Sequence, residues 1–143
     1  MLRSATLGTL SALALTLGGV STADAAGPTA SSRMDATSWG STRAPDQVLR
    51  AGCRNYRFAY KITTPNDNWQ AEMFISDRKG RAIASVLADA ASQPRQDVTT
   101  FRTCRASTTP GRFKIRMRIT YTEGYDKFVC FAKPSYFRLT RPR

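Results

Sequence analysis

The stretch FKIRMRITYT at residues 113–122 alternates apolar and polar side chains without interruption. Successive side chains of a β-strand point to opposite faces of a sheet, so this period of two predicts a strand with one buried face. The side chains expected in the core are Phe113, Ile115, Met117, Ile119 and Tyr121. Three cations, Lys114, Arg116 and Arg118, alternate with them and are therefore expected to face solvent.

Shorter segments with strand character lie on both sides of this one, separated by groups of turn-forming residues at 64–68, 77–80, 108–111 and 123–126. The predicted strands cover 54–62, 69–76, 81–87, 98–107, 113–122, 128–132 and 136–140, the last at a sheet edge. Residues 82–91 also fit a helix. Short strands at this spacing predict an all-β protein. We expect an antiparallel β-sandwich of about seven strands, immunoglobulin-like or jelly-roll-like.

The N-terminus has the pattern of a cleavable signal peptide. Arg3 precedes a weakly apolar stretch that is shorter than a membrane span, and Ala23-Asp24-Ala25 fits the small-x-small cleavage pattern. A buried core helix or a retained anchor is the alternative interpretation of this stretch. We expect a signal peptide over 1–25, a flexible leader over 26–47 with Trp39 loosely docked, and the sandwich domain over 48–143. The mature protein is expected to be secreted and to have no membrane span.

Three cysteines follow the signal peptide, at positions 53, 104 and 130. In an oxidising compartment two of them normally pair. Cys53 precedes the first predicted strand and Cys104 lies near the end of a later one, so both are expected at one end of the sandwich. This predicts a Cys53–Cys104 disulfide with Cys130 as a buried thiol, while pairing of Cys104 with Cys130 across the two sheets is the open alternative.

The absence of histidine from the whole sequence removes the commonest general base and the Ser-His-Asp and Cys-His arrangements. No nucleophile elbow, P-loop or dinucleotide motif is present. A carboxylate pair, as in a carboxylate-dependent hydrolase, or a Ser/Lys dyad is the enzymatic alternative that remains. Asn66-Asp67-Asn68 carries oxygen atoms of the kind that bind calcium, but a hydrogen-bonded turn accounts for the same residues. We expect no enzyme activity, no small-molecule cofactor and no metal.

The net charge of +12 predicts attraction to polyanions. Lys114, Arg116 and Arg118 are expected about 6.6 Å apart along one strand, and Arg57 and Lys61 occupy the polar side of the first predicted strand. If both strands share a sheet, these residues form a cationic plate for phosphate, sulfate or teichoic-acid-like chains. The expected partner is an anionic polymer or an acidic protein. The alternative is a structural or accessory domain whose charge serves solubility alone.

Three segments resemble the small β-sandwich accessory modules of secreted bacterial enzymes, such as pre-peptidase C-terminal domains. They are the aromatic strand Tyr56-Arg57-Phe58-Ala59-Tyr60, the turn Asp77-Arg78-Lys79-Gly80, and the strand entry Pro110-Gly111-Arg112-Phe113-Lys114-Ile115-Arg116. The chain is also similar to small exported actinobacterial proteins of unassigned function. The resemblance covers residues 53–140 and implies the fold alone, and no functional residue is carried over from it.

Overall fold

A computed structural model describes residues 39–142, and the predicted signal peptide and the leader up to residue 38 lie outside the described residues. The described chain contains nine strands and no helix. The strands are β1 Gly40–Arg43, β2 Gln47–Val48, β3 Cys53–Ile62, β4 Trp69–Ser76, β5 Ala82–Asp89, β6 Gln96–Cys104, β7 Gly111–Glu123, β8 Asp126–Phe131 and β9 Ser135–Thr140. Strands β3 to β9 correspond to the seven predicted strands, and β5 settles the choice between strand and helix over 82–91.

The strands form two sheets, as the prediction of a β-sandwich requires. The small sheet has the order β1-β3-β6, and the large sheet has the order β2-β9-β7-β4-β5, with β8 also paired to β7. The 13-residue strand β7 organises the large sheet because it is paired along both edges. One edge pairs with β4, and the other pairs first with β9 and then with β8. Over residues 39–142, no helix has the length and apolar character needed to cross a membrane.

The core lies between the two sheets. All five apolar side chains of the 113–121 alternation are buried, which confirms the predicted facing of β7. Phe101 of the small sheet reaches across the core, with its ring centroid 5.9 Å from that of Phe137 in the large sheet. Phe137 in turn stacks on Phe113 at 5.5 Å. Burial of these rings removes a large apolar area from water, and their contacts hold the two layers together.

The second half of the predicted leader is part of the fold, which corrects the expected domain start at residue 48. Residues 40–43 pair with β3 as strand β1, and Gln47–Val48 pairs with β9 in the one parallel pairing of the described strands. Trp39 is 7% exposed and packs edge-on against Tyr121. The composition of residues 39–47 is polar, but their backbone groups complete the sheets. The last strand, β9, was expected at a sheet edge. Strand β2 pairs with the end of β9, so β9 is at the edge of the sheet over only part of its length.

Cys53 and Cys104 form a disulfide, as predicted, and Cys130 is a buried free thiol. The two bonded cysteines are directly opposite in the β3–β6 register. Cys130 lies on β8, in the large sheet, opposite Ile119. Cys53 is the first residue of β3 and Cys104 is the last residue of β6. Their pairing therefore places the disulfide at one end of the sandwich, as predicted.

Candidate functional site

A row of four cations projects from the outer side of β7, and we call Arg112, Lys114, Arg116 and Arg118 the β7 face. Their neighbours in sequence fill the core, so these side chains point away from it. The strand rises about 3.3 Å per residue, which spaces successive charges by about 6.6 Å. Each of the four is paired with at least one neighbouring strand, Arg112 with β9 and Arg116 with β4, so the charges are carried by a fixed part of the sheet.

Aromatic rings on the neighbouring strands lie under two of these guanidinium groups. The Cζ atom of Arg112 is 3.9 Å from the ring centroid of Tyr136 on β9. The Cζ atom of Arg116 is 5.9 Å from the ring centroid of Phe74 on β4. The negative ring face attracts a cation at these distances. These contacts hold the two guanidiniums on the rings of the neighbouring strands, where they remain charged groups on the exposed side of the sheet.

Arg118 differs from the other three because an acid neutralises it. Its guanidinium donates to Glu72 Oε2 at 2.7 Å, and the two residues are directly opposite in the β4–β7 register. The sequence predicts Arg118 as an equal member of the cationic row, and the structure places it on the expected face. Its charge, however, is already compensated on that face.

Like charges meet at the other end of the β7 face. Arg112 is directly opposite Arg138 of β9, whose side chain also points outward because Phe137 and Leu139 are buried. Like charges at directly opposed positions destabilise a sheet. Lys114, the next outward residue, lies between Ser76 of β4 and Tyr136 of β9, neither of which is acidic. Three cations thus lie side by side at this end of the face, and none of them takes part in the ion pairs of residues 39–142.

The sequence-based prediction omits Arg112 and Arg138. The alternation that marks Lys114 also places Arg112 outward, but the prediction named only the cations that lie between two buried residues of the strand. Arg138 has no such signal. It joins the site through the pairing of β9 with β7, and alternation within one strand does not identify the strand beside it.

The turn between β4 and β5 forms one wall of the site. Asp77 accepts hydrogen bonds from the backbone N–H groups of Lys79 and Arg81, and its carboxylate pairs with the Arg81 guanidinium at 2.8 Å. Burial raises the pKa of Asp77, but the hydrogen bonds from Arg81 and Lys79 and the charge of Arg81 outweigh it, so the pKa lies below its ordinary value. The ionised carboxylate thus fixes the shape of the turn.

Arg78 projects from this turn against the start of β7. A Cβ atom added to Gly111 would lie 3.0 Å from Arg78 Cδ, so the arginine stem packs directly on the glycine. Gly111 has a φ of 148°, which L side chains rarely adopt. A shallow groove of about 490 Å³ runs between the turn and β9. It is lined by Phe74, Arg78, Arg112, Lys114, Arg116 and Tyr136, among others.

The structure separates Arg57 and Lys61 from the β7 face, which corrects the expectation of one plate. Both residues lie on β3 in the small sheet, whereas Lys114, Arg116 and Arg118 lie on β7 in the large sheet. The two sheets share one core, and each set of cations points away from it. The cations of β3 and those of β7 are therefore on opposite sides of the molecule. The reason is that β3 pairs with β1 and β6, and its buried face is needed to cover the buried face of the large sheet.

The residues considered for calcium binding are engaged in the turn between β3 and β4. Asp67 pairs with the Arg95 guanidinium at 2.7 Å, and Asn66 Oδ1 accepts the backbone N–H of Asn68 at 3.0 Å. The Asn66 amide donates to the carbonyl of Thr122 at 3.0 Å. Among residues 39–142, no group of three or more His, Cys, Asp or Glu side chains is arranged to hold a metal ion.

Comparison of the chain with protein-family models, with curated proteins and with solved structures found no match.

Proposed function

We propose that this protein is a secreted, non-enzymatic β-sandwich that binds polymers bearing phosphate or sulfate groups through the β7 face. The observation that carries the proposal is the charge arrangement at the start of β7. Arg112 and Arg138 oppose each other, Lys114 follows without an acidic neighbour across either strand, and Arg116 is held over a ring. Guanidinium groups match the geometry of phosphate and sulfate oxygens through paired N–H donors.

The extended shape of this row favours a polymer over a single small anion. Charges that repeat at about 6.6 Å along a strand contact successive anionic groups of one chain. The rings of Tyr136 and Phe74 lie beneath guanidiniums, so they are not free to stack on nucleobases in the manner of single-strand binding proteins. The face therefore fits a charged backbone, such as a sulfated polysaccharide or a teichoic-acid-like phosphate polymer, better than it fits exposed bases.

The sequence supports an extracellular location for this activity. The predicted signal peptide over 1–25 would direct the chain to export, and the Cys53–Cys104 disulfide is compatible with an oxidising compartment. The binding proposal also requires no histidine, which agrees with the composition of the chain. A structural or accessory role without a polyanion ligand is the alternative that a binding experiment separates from this one.

The test compares two substitutions that remove one positive charge from the same strand face. R116Q removes a guanidinium that takes part in none of the ion pairs of residues 39–142, whereas R118Q removes one that already pairs with Glu72. Both proteins, and the wild type, are titrated with heparin at a series of salt concentrations. We expect R116Q to weaken binding more than R118Q. The triple variant R112Q/K114Q/R116Q should reduce the steepness of the plot of log binding constant against log salt concentration by about two to three units. Each of the three lost contacts contributes about 0.7 to 0.9 when the partner is a nucleic-acid phosphate.

Equal effects of R116Q and R118Q would show that only net charge matters, and they would favour the alternative of a domain whose charge serves solubility. Unchanged binding by the triple variant would refute the β7 face as the binding surface. Thermal unfolding provides the structural control, because exposed substitutions of this kind change stability by about 0.5 kcal/mol or less.

A further inference from the structure

The outer side of the small sheet carries a second set of exposed cations. We call Arg43 of β1, Arg57 and Lys61 of β3, and Arg102 of β6 the β3 face; all four are exposed. The register brings them together on three neighbouring strands. Arg43 is opposite Ala59, which lies between Arg57 and Lys61 on β3, and Arg102 is opposite Asn55. The cations therefore surround the middle of the sheet.

A groove with an apolar floor runs between two of these arginines. It has a volume of about 420 Å³, and its lining includes Arg43, Arg57, Ala59 and Val98. Val98 is 50% exposed at the centre of the face, directly opposite Ala59. An apolar floor with cations on both sides fits a sugar or polyol unit whose anionic groups reach the guanidiniums.

Gln47 fixes the backbone beneath this groove. Its side-chain amide donates to the carbonyl of Arg57 at 3.0 Å, and its side-chain oxygen accepts the backbone N–H of Arg57 at 3.1 Å. Gln47 thus extends the pairing of β3 beyond the end of β1. Arg57 consequently projects from a backbone held on both edges, because Thr100 pairs with it on the other side.

The β3 face lacks the kind of acidic partner that Arg118 has. None of the three ion pairs within residues 39–142 involves a member of this face. The nearby acid on β6 is Asp97, which is opposite the inward-facing Tyr60. One of its carboxylate oxygens accepts the backbone N–H of Val98 at 2.7 Å. The four cations of the β3 face therefore remain available to an external anion.

We propose that one molecule binds two polyanion chains at once, one on the β7 face and one on the β3 face, and thereby cross-links them. This inference rests on the proposed function of the β7 face. The two faces point in opposite directions because each is the outer side of one layer of the sandwich. Sheets pack about 10 Å apart, so the protein is thick enough to hold the two chains on separate sides and thin enough to bring them close together.

The test measures binding stoichiometry with a short heparin hexasaccharide and light scattering with full-length heparin. Three triple variants remove the same number of charges. The β7-face variant is R112Q/K114Q/R116Q and the β3-face variant is R43Q/R57Q/K61Q. The control R54Q/R105Q/K133Q removes three exposed charges that belong to neither face. We expect two hexasaccharides per wild-type or control molecule and one per molecule of either face variant. Scattering should rise with full-length heparin for the wild type and the control, and should fall at least tenfold for both face variants.

The outcomes separate the two proposals. A single wild-type site that is lost in the β7-face variant and kept in the β3-face variant overturns cross-linking but leaves the proposed function in place. A single site that is lost only in the β3-face variant overturns both. Absence of wild-type binding at physiological salt also overturns both. Should R43Q/R57Q/K61Q fail to fold, R57Q/R102Q removes charge from the same face through an overlapping set of residues, and the same reduction to one site is expected.

Discussion

Replacement of Trp39 by alanine tests whether the segment before residue 48 belongs to the folding unit. The indole ring is 7% exposed, and its centroid lies 4.5 Å from that of Tyr121 in an edge-to-face contact. The Trp39 carbonyl also accepts the backbone N–H of Thr63 at 2.8 Å. The tryptophan therefore contacts β7 through its ring and the end of β3 through its backbone.

The expected cost follows from the area that the ring removes from water. A buried aromatic side chain covers about 150–250 Å², and about 25 cal/mol per Å² converts this to roughly 4–6 kcal/mol for a residue as large as tryptophan. Large-to-small substitutions of this type usually cost about 3–5 kcal/mol. We expect the free energy of unfolding to fall by about 3–5 kcal/mol in W39A, a large part of the total stability of a typical domain.

Urea unfolding at equilibrium, followed by the fluorescence of the buried Trp69, measures this change. The slope with urea should stay constant if the same surface is exposed on unfolding. The matched control is Y125A, because the side chain of Tyr125 is fully exposed in the turn after β7. Its effect should be about 0.5 kcal/mol or less. A loss below about 1 kcal/mol in W39A would refute the reasoning and restore the domain start at residue 48.

Three further predictions concern the disulfide, the turn after β4 and the free thiol. Serine at both Cys53 and Cys104, which are 51 residues apart, should lower the free energy of unfolding by about 4 kcal/mol in a denaturation experiment, because the disulfide restricts the unfolded chain. Asp77→Asn should lower the free energy of unfolding at neutral pH. The difference in free energy from wild type should shrink as pH falls below the ordinary pKa of 3.8, because the Asp77 carboxylate has a lower pKa in the folded state and becomes protonated there. A difference that stays constant with pH would contradict a role for the charge. Cys130 should not react with a thiol reagent at pH 8 until the protein is unfolded, because burial raises its pKa and covers the sulfur; rapid labelling of the native protein would contradict this.

Alternation within one strand was sufficient to predict which residues of β7 are buried. The period of two depends only on backbone geometry, and every inward residue of β7 from Phe113 to Tyr121 is buried. The same principle failed for residues 39–47, where short polar strands add backbone hydrogen bonds and few apolar side chains. Their place in the fold depends on the free edges of β3 and β9, which the local sequence does not describe.

The composition of the candidate site depends on strand order, which explains why it was only partly predicted. The outward direction of Lys114 and Arg116 follows from their own strand. The neutralisation of Arg118 by Glu72 requires the β4–β7 register, and the addition of Arg138 requires β9 beside β7. The prediction that Arg57 shares a sheet with the β7 residues was wrong for the same reason. Alternation of apolar and polar residues identifies which side of a strand is buried, but it does not identify the sheet to which the strand belongs.

Residues 40–48 protect two sheet edges at the same time. Strand β1 covers the outer edge of β3 in the small sheet, and β2 covers part of β9 in the large sheet. The Asp46 carboxylate extends this cover by accepting the backbone N–H of Arg138 at 2.6 Å. Uncovered strand edges are templates for pairing with other chains. A protease cut between the two strands would therefore weaken both edges in one event and would expose edges on which other chains can pair.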